Sequence, residues 1–459
     1  MLRIAEVGLS IAIWIAVLAF GGSSPRFFLL TEVIILGLGV FFLSASLHAP
    51  VTAMRLPLAA PVTLIALVVL QILPLPVFLA QLYPSLHTAF AGDARHTLSV
   101  APYQTVSHLL LLVTFLTAFY LVLLVCKDRE AKKRLVYSLV ALGAFEAFYG
   151  LVQYLTGWQQ IFTYVKKYYL EEATGTYINR NHFAGLLEMT LPFTVALALR
   201  QARTLRRAVR GEAPLRAALS ASELLPLLFW LFVAATIFTA LIFSRSRMGL
   251  ISALFSTIAV LAFVRTSSFS PRTRAGVATL FFLGVIGLVV WIGSDPVITR
   301  LETLGQEYSR TGQNRISIWR DTLKLVRQHP LFGTGLGTFS VAYPSVQTSF
   351  LNLIVDHAHC DYLEVVSELG LPGGILVFGS ILWVLAQTIR HYGEAVDRFD
   401  TAASLGCIGS IAAMLAHGLA DFNLYIPANA LVFTVILALA WSTVHEVKKS
   451  GRLAPTVLA

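Results

Sequence analysis

The chain has 459 residues, 57% of them hydrophobic and 13% charged, with a mean hydropathy of +0.75. A soluble domain carries about a quarter charged residues, so this composition excludes one. The apolar runs are long and continuous, not alternating, which excludes a membrane barrel and specifies an all-α polytopic membrane protein. The net charge of +10 does not indicate a nucleic-acid partner, because the basic residues gather in short loops between alternate apolar runs, the positive-inside pattern.

In chain order the apolar runs predict about twelve transmembrane helices, near 5–22, 27–46, 57–75, 105–126, 134–155, 182–200, 223–243, 248–265, 274–293, 371–390, 402–419 and 425–444. The first lacks a small-x-small cleavage site and is read as an uncleaved span. Four basic segments set the orientation: 127–134, 200–216, 265–274 and the tail 446–452. With twelve spans all four fall on the cytoplasmic side together with both termini. One span more or fewer would put at least one of them outside.

The outer face then carries a loop after span three (76–104), an aromatic stretch before span six, the SRSR hinge between spans seven and eight, and a large loop between helices 9 and 10. The chain reads as one integral-membrane domain, 1–459, with a cap loop at 294–370. Ile316, Trp319, Leu323 and Val326 give that cap helical periodicity. The three cysteines, Cys126, Cys360 and Cys407, are far apart and fit no disulfide or metal framework.

Three groups could carry chemistry. The first is the segment HAHCDYLEVVSELGLPGG at 357–374, which places His357 and His359 just ahead of a short helix. Its spacing predicts a helix from Tyr362 to Leu369, a left-handed glycine cap at Gly370, and Pro372 in the first turn of the next span. A neutral imidazole can take a proton from a hydroxyl near neutral pH. Asp356, His357, His359 and Asp361 are metal-ligand types, but their spacing fits no strong signature; orienting an imidazole is the other use open to Asp356 or Asp361.

The second group is Arg180, Arg245, Arg247 and Arg315, four cations on the face that positive-inside bias disfavours. A guanidinium fork matches phosphate oxygens. The third comprises Glu146, Glu188 and His417 within apolar runs, functional candidates by default, followed by Asp421 and Asn423 at an outer turn. The glycine-rich HPLFGTGLGTF at 329–339 lacks the lysine of a phosphate loop and reads as a tight turn packing the cap onto the spans.

Taken together these segments resemble the O-antigen ligase and polymerase superfamily, bacterial membrane glycosyltransferases of the C type. His359 begins a match to the pattern of histidine, a small polar residue, nine residues, then GxxG, here Gly370 to Gly373. Cys360 departs from the usual polar residue. RMGLI resembles the arginine followed four positions later by leucine, with Ile251 in the leucine position. NRNHFAG, NRISIW and HGLADFNLYIP fall in the matching order.

The resemblance implies transfer of a glycan from undecaprenyl diphosphate on the periplasmic face of the inner membrane, inverting, with no metal or other cofactor. His359 would be the base. Arg247, Arg315, Arg180 and Arg245 would bind the diphosphate, with His357, Asp361, Asn181 and Asp421 in support. The acceptor would be lipid A-core or another glycan; polymerases and protein O-oligosaccharyltransferases share these motifs. A lipid-linked oligosaccharide transporter is the alternative from another class, but no repeated halves are visible.

Overall fold

A computed structural model of the chain describes residues 2–48, 58–74, 97–202, 207, 211–212, 214–263, 313–348, 354–394 and 397–453. Its principal helices are α1 (Leu2–Leu18), α2 (Pro25–His48), α3 (Ala59–Ile72), α4 (Pro102–Val125), α5 (Arg129–Thr156), α6 (Arg180–Gln201), α7 (Ala221–Phe243), α8 (Arg247–Phe263), α9 (Gln313–Gln328), α10 (Asp361–His391), α11 (Arg398–His417) and α12 (Pro427–Leu453). Among the described residues eight helices contain segments long and apolar enough to cross a membrane. Eight of the predicted spans fall on these eight helices, and the first, third and eighth fall on the shorter helices α1, α3 and α8. The ninth, at 274–293, and the cap residues 294–312 lie outside the described residues.

Local sequence sets the ends. Asp128 caps α5 by accepting from the N–H groups of Glu130 and Ala131, and Gly157 closes it at φ 67°. Asn179 caps α6 by accepting from the N–H of Asn181. Between these helices an antiparallel hairpin forms where none is predicted, pairing Gln160 with Val165 and Ile161 with Tyr164.

The centre of the bundle is α6, with 89% of its apolar window buried, against 22% for α2 and 28% for α7. Small residues let α11 approach it: a Cβ on Gly406 would stand 2.3 Å from Phe193, and one on Gly409 2.6 Å from Pro192. Ser410 Oγ donates across the contact to the carbonyl of Met189 at 2.5 Å.

The predicted short helix at 362–369 and the tenth span are two limbs of one element, α10, broken at Gly370. The conformation there is φ 70°, ψ 175°, a positive-φ extended region open essentially to glycine, and not the left-handed cap expected from sequence. The cause is the 329–339 turn. Leu371 N–H donates to Pro330 O (2.8 Å), Thr334 N–H to Ser367 O (2.9 Å) and Gly335 N–H to Glu368 O (3.0 Å). Gln71 of α3 ties the same place, donating from Nε2 to Phe332 O (2.6 Å) and Glu368 O (2.8 Å). The glycine-rich turn thus packs backbone to backbone against the break, as a packing turn and not a phosphate loop.

Long-range bonds sort the loops to two ends. At one end Ala173 N–H donates to Phe243 O, Asp361 N–H to Gly418 O, and Val100 N–H to Thr334 O. This brings together the α5–α6 link, the α7–α8 hinge, the segment before α10, and the α11–α12 turn. At the other end the basic start of α5 meets acidic residues: Arg134 with Glu6, Lys132 with Asp400, Arg129 with Asp397.

Candidate active site

His359 lies in the segment that enters α10, with φ 52°, a left-handed conformation rare for a residue with a side chain. Its neighbours are fixed on both sides. Ala358 N–H donates to Glu364 Oε2 (2.7 Å), and Ala358 O accepts from Trp319 Nε1 of α9 (3.0 Å). Asp361 N–H donates to the carbonyls of Gly418 (2.9 Å) and Asp421 (3.0 Å). Asp361 Oδ1 accepts from Leu424 N–H at 3.1 Å, so this residue joins the α11–α12 turn to the start of α10.

Three imidazoles surround one phenyl ring. His357 stacks on Phe422 with centroids 4.0 Å apart, and His359 and His182 meet it edge-on at 5.0 Å each. His357 Nδ1–H donates to Glu364 Oε1 at 2.6 Å. The carboxylate that orients an imidazole here is therefore Glu364, not Asp356 or Asp361 as the sequence had left open. Among the described residues no group of three or more His, Cys, Asp or Glu side chains could hold a metal ion.

Electrostatics separates the two histidines of the loop. Burial pushes the His359 pKa down to about 4, with the Asp421 charge opposing and Arg315 and His357 assisting the drop. The imidazole is neutral at pH 7 and can accept a proton. Burial would lower His357 too, but the charge and hydrogen bond of Glu364 outweigh it and raise its pKa. Asp421 is held well below the usual carboxylate range: burial opposes this, and the hydrogen bond and charge of His417 overcome it. His359 Nδ1 is buried without a hydrogen-bond partner among the described residues, as are Asp361 Oδ2 and His182 Nε2, while Asp421 Oδ2 faces His417 Nε2 at 3.7 Å.

The arginines divide into three cases. Arg315, at the start of α9, donates from Nη1 to Ala420 O (3.0 Å) and acts electrostatically on both His359 and Tyr169. Arg180 and Arg245 reach the same end but are engaged by neighbouring glutamates. Arg180 Nη1 lies 2.5 Å from Glu172 Oε1, with its guanidinium 5.4 Å from the Tyr169 ring; Arg245 Nη1 lies 3.1 Å from Glu171 Oε2. Arg247 is exposed as the first residue of α8, two positions beyond Arg245. Asn181 contributes its backbone N–H to the Asn179 cap.

Sequence reading missed Glu364, Trp319, Phe422 and the Glu171–Glu172 pair. Trp319 lies four residues beyond Arg315 on α9, so helical spacing does put the two on one face. Phe422 lies inside the HGLADFNLYIP motif, whose polar members drew attention first.

Residues 232–378 match the family model described as O-antigen ligase. No curated protein matches the chain.

Proposed function

We propose, from the match of residues 232–378 to the family model described as O-antigen ligase, that this membrane protein transfers a glycan from undecaprenyl diphosphate to an acceptor hydroxyl on the periplasmic face of the inner membrane. The observation that carries the reading is His359: a neutral, partly exposed imidazole held in a fixed loop within the electrostatic reach of Arg315. The positively biased end, with Arg129, Lys132 and Arg134, is then cytoplasmic, and the end with His359 is periplasmic.

In the proposed step the imidazole of His359 takes the proton of the acceptor O–H. The oxygen attacks the anomeric carbon as the bond from that carbon to the phosphate oxygen breaks. The configuration inverts, and undecaprenyl diphosphate leaves with the electron pair. Arg315, Arg247, Arg180 and Arg245 stabilise the charge that grows on the leaving group. Arg315 uses one N–H on Ala420; a guanidinium has five, so four remain for phosphate oxygens. Arg180 and Arg245 can serve if the diphosphate displaces Glu172 and Glu171. The arriving anion also offsets the effect of Arg315 on His359 and makes the imidazole a stronger base when the donor is present.

The favoured acceptor is lipid A-core; a second glycan unit or a protein hydroxyl would use the same base and the same clamp. Purified protein given lipid-linked glycan and each acceptor class in turn decides between them. The expected result is a glycosylated acceptor and free undecaprenyl diphosphate without added metal. Movement of intact lipid-linked glycan across a bilayer with no product would overturn the reading.

A further inference from the structure

The proposed base adopts an unfavourable backbone conformation, and such conformations persist where the surroundings over-determine them. The constraint on His359 is concentrated in one peptide. The N–H of Ala358 is held by Glu364 and its carbonyl by Trp319, so both polar groups of the residue before His359 are fixed from opposite sides. Its methyl group is fully buried in a cluster with Ile318, Leu325, Phe339 and Tyr343. Two residues further on, Asp361 N–H is held by Gly418 and Asp421. Between these anchors the chain has little freedom except at His359 and Cys360.

Glu364 is itself 1% exposed, and its two oxygens are divided between His357 Nδ1 and Ala358 N–H. One carboxylate therefore sets both the ring stacked on Phe422 and the peptide that leads into the base. Trp319 stands one helical turn beyond Arg315 on α9, and each donates to a carbonyl at this end of the bundle. The same helix thus carries a proposed diphosphate ligand and a hydrogen bond to the base loop.

We infer that Glu364 and Trp319 are positioning residues for transfer: together they lock the Ala358 peptide so that His359 stays left-handed and presents its imidazole to the acceptor hydroxyl. Neither touches substrate. The inference rests on His359 being the base. Its effect belongs in turnover more than in donor binding, because Arg315, Arg180 and Arg245 are held directly by Ala420, Glu172 and Glu171 and not by the Ala358 peptide. A base displaced by about 1 Å can cost about 100-fold in rate.

The test uses the full-length purified protein with lipid-linked glycan, the stoichiometry of bound donor counting the folded sites. Trp319→Phe keeps the ring and removes one donor; Glu364→Gln keeps the shape and removes the charge. Each should lower kcat per bound donor by about 10–100-fold and leave the KM for donor within about twofold, as expected for loss of an interaction that matters in the transition state. Free imidazole in solution should restore part of the turnover of His359→Gly, which leaves room for it, and should not accelerate the wild type, Glu364→Gln or Trp319→Phe, in which the His359 ring still fills the site. A loss of folding does not respond to imidazole. If Glu364→Gln does not fold, Trp319→Phe carries the same test. Wild-type turnover in the folded variants, with His359→Gly inactive, overturns the positioning role. Wild-type turnover in His359→Gly overturns the base assignment instead.

Discussion

The two ends of the bundle use the same side chains for different purposes. At the end proposed to be cytoplasmic, Arg134, Lys132 and Arg129 at the start of α5 pair with Glu6 of α1, Asp400 of α11 and Asp397 at its N-terminus. These pairs join one spanning helix to another. At the opposite end Arg180 and Arg245 pair with Glu172 and Glu171, both from one loop. Backbone strain separates the ends further. Among the described residues the non-glycine positions with positive φ are Phe20, Phe162, Tyr169, Arg245 and His359, and every one lies in a connection at the His359 end. Buried polar atoms without partners also gather around Asp421. The molecule is stapled at one end and strained at the other, and the strained end is the one at which transfer is proposed.

The largest effect that could break this contrast is at the base. His359→Ala should lower transfer by about 10²–10⁴-fold while the protein still inserts and binds donor. Glycan transfer assays on the purified variant check it, and normal rates would remove His359 from the mechanism. The same group fixes a pH profile. A base whose pKa lies at about 4 is neutral through the physiological range and is protonated as pH falls through that value. Transfer at low substrate should therefore stay flat down to about pH 5 and fall below it. A midpoint near 6.5 in the free enzyme would mean that His359 is not buried as described.

Next in size is Arg315. A lysine there has a single ammonium to share between Ala420 O and phosphate, where the guanidinium has separate donors for each. Arg315→Lys should reduce kcat/KM by up to about 10²–10³-fold, the range of one lost charge-stabilising donor. Unchanged donor affinity and rate would exclude it from the clamp.

How much of this was legible in the sequence follows from the range of each interaction. Hydropathy places the spans because burial in lipid is a property of each run by itself. The break at Gly370 is visible in the Gly-Leu-Pro-Gly string, but its extended conformation depends on the turn at 329–339, which periodicity cannot bring there. His359 stands out as a polar residue ahead of an apolar helix, and Arg315 as a cation on the outer side. Glu364 reads as a polar interruption of α10, since its partners at 357 and 358 lie in irregular backbone where spacing predicts nothing. Phe422 gathers three histidines from two segments, α6 and the segment before α10, a contact that exists in the fold alone. Glu172 and Arg180 are eight residues apart with no common helix, so their pairing had no local signature.

The companion pair, Glu171 with Arg245, predicts a gain of function. Glu171 is 82% exposed beside Arg245, so it competes weakly for a guanidinium that the donor also needs. Glu171→Gln should lower the KM for lipid-linked donor by up to about fivefold, as expected for release of an exposed pair worth up to about 1 kcal/mol, with kcat unchanged. Steady-state kinetics over donor concentration reads this directly. A raised KM would mean that Glu171 holds Arg245 in place for the donor and does not compete with it.

The smallest effect belongs to the opposite end and completes the comparison. The Arg134 side chain is 54% exposed, and its pair with Glu6 faces water on one side. Such pairs contribute little because solvent screens them and ordering two side chains costs entropy. Arg134→Ala should shift the thermal midpoint in detergent slightly and leave kcat and both KM values as in the wild type. Lys132 differs in being fully buried against Asp400, so Lys132→Ala leaves a carboxylate without its cation and should cost about 3–5 kcal/mol, again with normal turnover per folded molecule. If either substitution altered turnover per folded protein, these pairs would be coupled to the proposed site at the other end of the bundle, and the division between stapled and strained ends would fail.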